Sequence, residues 1–308
     1  MRAITDFVGA LFLPEALKEE LAGDYILRQH QLYVQLPTWL APVFGPAVSA
    51  AHLDQLSISC YFYFRFLLAI DKVLDAGPVA DSAAPALSAL RLLTYCDLYE
   101  RSIRALASLF PPTDPYWAGL DACKKQYADS NLREKAFSAA RGPFTRESFE
   151  ALAIDKSAVS HMVVFALSSL AQTPAPVAPL IDCLNHLHVA LQCMDDVEDF
   201  RTDWEQGQYT YAHAQVEAYL HRESIDVQAL DAARVHPYLY TSGTATALYE
   251  LGKEHFSRAV AIARPLGLEE LCALLEHQSM RCSFYCDDIA AKLSKAQARV
   301  TPSPATVA

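Results

Sequence analysis

Apolar residues recur at the helical period along almost the whole chain, and strictly alternating, strand-like runs are rare. Proline- and glycine-containing breaks fall at 37–46, 77–85, 111–115, 142–143, 174–179, 236–243 and 265–267. The stretches between them predict long helices over 52–75, 86–110, 117–140, 146–171, 178–205, 244–263 and 268–298. No repeat or linker divides the pattern. The expectation is one all-α domain of about ten helices over 1–299, followed by a disordered tail at 300–308. Several helices are apolar nearly all round, which suits the centre of a large bundle. The first 23 residues hold only one short apolar stretch, interrupted by Pro14 and lacking a signal-peptide cleavage pattern. No transmembrane segment is expected, and the chain reads as cytoplasmic.

Two apolar helices end in acid. The run Tyr61–Asp75 (YFYFRFLLAIDKVLD) carries Asp71 and Asp75 four apart on one face, with Phe64, and on the same side Tyr61, as an aromatic wall leading to them. The run LQCMDDVEDFRTDWEQGQYTY repeats the spacing with Asp195 and Asp199, continues it at Asp203, and flanks it with Asp196 and Glu198. So many carboxylates on an apolar helix repel and desolvate one another unless a cation sits among them. Magnesium meets that need: it takes one or two carboxylates and completes its shell with water and substrate phosphate. Two carboxylate pairs at the mouth of an apolar cavity would hold a diphosphate through metal and stabilise it as it leaves. A lone Asp-x-x-x-Asp is usually a solvated helix face; the expectation rests on both clusters ending long apolar helices, roughly 120 residues apart.

Composition narrows the field. Net charge is −11, which disfavours nucleic acid as a partner. The eight cysteines form no Cys-x-x-Cys pair; Cys282 and Cys286 lack a second pair to complete a zinc site, so reduced, buried thiols are expected. Glu-x-x-His pairs, Gly-rich phosphate loops and zinc-protease or hydrolase motifs are missing from the sequence.

The motifs resemble those of the class I isoprenoid synthases, most nearly bacterial class I terpene synthases and trans-prenyl diphosphate synthases. Gln192–Asp199 (QCMDDVED) looks like their second aspartate-rich motif. Asp71–Asp75 (DKVLD) looks like a degenerate first motif with Lys72 in second place. Lys156 stands where the family has a diphosphate-contacting lysine, and Arg281 with Tyr285 is similar to a late Arg–Tyr pair that meets diphosphate. The resemblance implies an isoprenoid-synthase helical bundle around a central apolar cavity. It implies metal at Asp71, Asp75, Asp195, Asp196 and Asp199, up to three Mg2+ ions with the diphosphate, and substrate contacts from Gln192, Lys156, Arg281, Tyr285, Phe64 and Tyr61. The substrate would be an allylic prenyl diphosphate, and a homodimer is the family expectation. Asp75 is followed by AGPVADSAAPA with no arginine before Arg91, and the N-terminus has no basic cluster. A second diphosphate site is thus poorly provided for, and the expected activity is terpene cyclisation. Chain elongation, a squalene- or phytoene-type condensation, and a catalytically degenerate regulatory subunit are the alternatives.

Overall fold

The computed structural model describes residues 1–75, 85–142, 144–171 and 175–300. Among the described residues there are fifteen α-helices and no strand. In chain order they are α1 (Arg2–Gly9), α2 (Glu15–Ala22), α3 (Asp24–Gln29), α4 (Gln31–Leu40), α5 (Ala50–Asp75), α6 (Pro85–Leu109), α7 (Pro115–Ala140) and α8 (Arg146–Lys156). After these come α9 (His161–Ala171), α10 (Val177–Glu198), α11 (Phe200–Gln206), α12 (Tyr211–Arg222), α13 (Ala232–Thr241), α14 (Thr244–Ala263) and α15 (Glu269–Val300). The chain is all-α, as the periodicity predicts. From residue 301 the expected tail lies outside the described residues, as does most of the break at 77–85. Among the described residues no single helix is long and apolar enough to cross a membrane.

The helices fall into two compact units, each discontinuous in sequence. The first comprises Met1–Tyr127, Ala158–Ile181 and Ala263–Leu271. In it α5 packs along α6, α4 and α1, and α9 packs on α4 and α5. Its core joins Ile4, Val8, Leu21 and Leu27 of the short N-terminal helices to Tyr61 and Phe62 of α5 and Leu98 of α6. Those short helices are not expected from the sequence, because each is too brief to show a sustained period and is stable only through packing. Pro14 does not end an element but stands at the N-cap of α2, where its missing N–H costs nothing. The second unit comprises Ala128–Ser157, Asp182–Ile262 and Cys272–Ala308, with α11 packed on α12 and α13. Gly252 of α14 packs beside Ala190 of α10 and Cys282 of α15, where a Cβ would meet both at ordinary contact distance.

Two helices expected to be continuous are interrupted at Lys156 and at Asp199. The 146–171 stretch stops at Lys156, with Ser157 as C-cap, then passes through a 3-10 turn, Ala158–Ser160, into α9. The 178–205 stretch bends at Asp199, yet the i-to-i+4 hydrogen bonds continue: Asp199 N–H donates to Asp195 O (2.8 Å) and Asp203 N–H to Asp199 O (2.9 Å). The carboxylate spacing therefore survives the bend.

Candidate functional site

The acidic end of α10 is assembled wholly within the second unit. Asp195 and Asp199 are solvent-accessible, and Asp203 is half-buried on α11. Asp196 differs. It is 3% exposed and both its oxygens are committed: Gln192 Nε2 donates to Oδ1 (2.9 Å), and the Ala212 backbone N–H donates to Oδ2 (3.3 Å). Ala212 lies in the first turn of α12, so Asp196 satisfies an orphan donor there and complements the helix dipole. The start of α12 is fixed a second way. Thr210 and His213 form a capping box, with Thr210 N–H donating to His213 Nδ1 (3.1 Å). His213 Nε2 therefore carries the proton and donates to Phe200 O (2.9 Å). Burial lowers the His213 pKa to about 4, which keeps the ring neutral.

Electrostatics mark this end of α10 as strained without a cation. Asp195 can be reached by water but is flanked by so much protein that desolvation, then Asp199 and Asp196, raise its pKa to about 7. Asp203 is raised to about 7 by burial and then Asp196, and Asp196 to about 6 by burial. Carboxyls whose folded pKa exceeds the unfolded value stabilise the fold at low pH, and that contribution is lost as pH rises through the folded pKa. His213 acts in the opposite sense, but only between about 4 and the unfolded value of 6.5. Above pH 6.5 the acids dominate. The metal-free protein should therefore melt at a lower temperature at pH 8 than at pH 6.5, and magnesium with pyrophosphate should erase the difference. Differential scanning fluorimetry checks this; a metal-free protein more stable at pH 8 would contradict it.

Lys156, at the C-terminus of α8, donates through Nζ to Glu134 Oε1 of α7 at 2.8 Å. A small cavity is lined by Glu134, Lys156, Gln192 and Asp196 with the aromatic rings of Phe149 and Tyr209. The structure thus brings Lys156, Gln192 and Asp196 together, and adds Glu134, which the motif spacing does not reveal. Arg281 and Tyr285 lie elsewhere in the same unit. They line a cavity of about 700 Å3 with Tyr240, Tyr249 and Lys292, and Glu198 reaches into it. Arg281 is directed at Glu198 (3.5 Å), Gln278 (2.9 Å) and the Tyr285 hydroxyl (3.3 Å).

In the first unit, Asp71 is half-buried near the end of α5, and the side chain of Asp75 lies outside the described residues. Phe64 is half-buried, with its ring stacked on Tyr33 at 3.5 Å between centroids. Tyr61 meets surroundings unlike the expected cavity wall. It is 0% exposed, its hydroxyl donates to Leu21 O (2.6 Å), and Arg65 Nη1 donates to that same hydroxyl (3.0 Å). A tyrosine so bonded is a core anchor.

Among the described residues no three His, Cys, Asp or Glu side chains close on a metal by themselves. Accessible carboxylates one helical turn apart, Asp195 and Asp199, suit magnesium, which draws its remaining ligands from water and phosphate.

The sequence matches no family model and no curated protein. Solved structures do match. A polyprenyl synthase from Caulobacter crescentus CB15, complexed with calcium and isoprenyl diphosphate, is 19% identical with TM-score 0.69, covering 90% of this chain and 92% of that one. A geranylgeranyl pyrophosphate synthetase from the archaeon Geoglobus acetivorans is 14% identical with TM-score 0.67, covering 90% and 96%. An octaprenyl pyrophosphate synthase from Helicobacter pylori is 12% identical with TM-score 0.61, covering 90% and 98%. At these identities the likeness is one of architecture, and on it the chain has the all-helical class I isoprenoid-synthase fold of the trans-prenyl diphosphate synthases.

Proposed function

We propose that the protein is a magnesium-dependent enzyme that ionises an allylic prenyl diphosphate and joins the allyl unit to a homoallylic diphosphate, lengthening the chain. The observation that carries this reading is the accessible Asp195–Asp199 pair, with Lys156 in the same unit, in a chain whose structural neighbours are polyprenyl and geranylgeranyl synthases. Asp195, in the last turn of α10, and Asp199, at the bend that follows it, would hold metal, and Asp71 and Asp75 are proposed as a second metal-binding pair on α5. Bound magnesium would neutralise the charge that gathers on the departing diphosphate. Lys156 binds that diphosphate. Asp196, with both oxygens occupied, positions α12 and orients Gln192 instead of ligating. Phe64, on the helix that carries Asp71, is proposed as an aromatic surface for a carbocation. In the reaction the C1–O bond breaks with its electron pair leaving on the diphosphate. The homoallylic double bond then attacks C1, and a proton is lost to restore the alkene.

Cyclisation is the second reading. A specific observation favours it: no arginine lies between Asp75 and Arg91, and Arg91 is itself paired with Glu20 at 3.1 Å. One assay separates the two. Purified protein with magnesium is given geranyl, farnesyl or geranylgeranyl diphosphate, with and without the five-carbon homoallylic diphosphate. A longer diphosphate formed only with the partner is the expected result. A cyclic hydrocarbon or alcohol formed without it would transfer the assignment to cyclisation, and no chelator-sensitive product under either condition would sink both.

A further inference from the structure

We infer that Glu134 is a positioning residue that holds the Lys156 ammonium until a diphosphate displaces it, so that the pair sets how tightly the site takes an anion. The inference rests on the diphosphate reading of Lys156. Its geometric basis is independent of that reading.

Lys156 Nζ and Glu134 Oε1 are 2.8 Å apart, and the two side chains are 21% and 24% exposed. A pair so sheltered is screened less than a surface ion pair. Its geometry is held from both sides. Lys156 is the last residue of α8, where the helix dipole favours a cation. One residue earlier on each helix, Arg133 of α7 pairs with Asp155 of α8, so two parallel ion pairs clamp the same crossing. Further along α7, Ser138 Oγ accepts the Tyr209 N–H (3.1 Å), and just past its end Arg141 pairs with Glu217 of α12 (3.2 Å). The backbone that carries Glu134 is therefore anchored on the segment that follows the aspartate cluster.

Glu134 is a second carboxylate lining the cavity that Asp196 lines, and Lys156 is the cation lining it. Placed here, Glu134 keeps the ammonium extended toward the cavity it shares with Gln192 and Asp196, and it competes with any incoming anion. A diphosphate, carrying more charge and its own metal ions, replaces it; when the diphosphate departs, Glu134 recaptures the lysine.

The test is magnesium-dependent binding of inorganic pyrophosphate by isothermal titration calorimetry, with steady-state kinetics beside it. In Glu134→Gln the competitor is gone, and affinity for pyrophosphate should rise roughly three- to tenfold. KM for the allylic diphosphate should fall in step, with kcat lowered because the product diphosphate leaves more slowly. Glu134→Asp, which keeps the charge but shortens the reach, should lie between. Lys156→Met should lose affinity, and Glu134→Gln added to it should change nothing further. A merely structural glutamate would alter melting temperature without this coupling. Unchanged or weaker pyrophosphate binding in Glu134→Gln, with wild-type binding intact, overturns the inference alone. If Glu134→Gln does not fold, unchanged or weaker binding in Glu134→Asp overturns it equally. Wild-type protein that binds no pyrophosphate in magnesium overturns the diphosphate reading and the inference together.

Discussion

Replacing Asp195 with asparagine should lower turnover by at least about 10²- to 10³-fold, the range for removing one electrostatic contact to a charge that develops in the transition state. The substitution keeps shape and removes charge. Asp195 is accessible and sits four residues before Asp199, with the i-to-i+4 hydrogen bond between them kept across the bend, so it is placed to ligate. Its pKa, raised to about 7, says that its negative charge is unfavourable in the metal-free protein. Asp195→Asn should accordingly melt no lower than wild type, and above pH 7 somewhat higher. Loss of activity with unimpaired stability is the signature of a ligand. Asp196→Asn should behave in the reverse way. Its carboxylate is buried between Gln192 and the start of α12, so the cost falls on stability, and magnesium dependence should persist in the remaining activity. Initial rates over a magnesium titration, with a thermal melt of each variant, separate the two. Near-wild-type kcat in Asp195→Asn would end the metal assignment on α10.

The contrast between these neighbours shows where sequence reading stops. The long helices are legible because their apolar stripes persist over several turns: 244–263 is read to the residue, and 52–75 begins two residues inside α5. The acidic spacing at Asp195 and Asp199 is legible for the same reason. Which of two adjacent aspartates is free to bind is a tertiary fact, since it depends on α12 presenting an N–H to Asp196. That helix itself goes unread, because its cap pairs Thr210 with His213 where a glutamate or glutamine would give the usual signal. Pro237 lies inside α13, so its presence does not mark the break that actually falls at Ser242 and Gly243. Glu134 has no motif around it. Only the crossing of α7 and α8 makes it the partner of Lys156. Arg65 is hidden in a different way: within YFYFRFLL it reads as one polar interruption of an aromatic run, yet it is a heavily connected polar group on α5.

That connection sets the second large effect, the loss of Arg65. The side chain is 8% exposed. Nη1 donates to Glu20 O (3.1 Å) and to the Tyr61 hydroxyl (3.0 Å), and Nη2 donates to the Tyr95 hydroxyl (2.7 Å). The Tyr95 hydroxyl donates its own proton to Glu20 Oε1 (3.1 Å), whose other oxygen accepts from Arg91 (3.1 Å). One guanidinium thus ties α2, α5 and α6 at a point six residues before Asp71. Arg65→Ala would leave acceptors unsatisfied in an apolar core and open a void among aromatic rings. It should lower the free energy of unfolding by about 3 kcal/mol, the lower end for breaking a buried charged network. Arg65→Lys should recover only part, because an ammonium cannot fork between two hydroxyls and a carbonyl. Arg65→Met restores volume without donors and should fall between Ala and wild type, which assigns the remainder to hydrogen bonding. Urea unfolding of the three variants measures this directly. Losses under about 1 kcal/mol in Arg65→Ala would mean that the apolar contacts of Tyr61 and Phe62 hold α5 without the network.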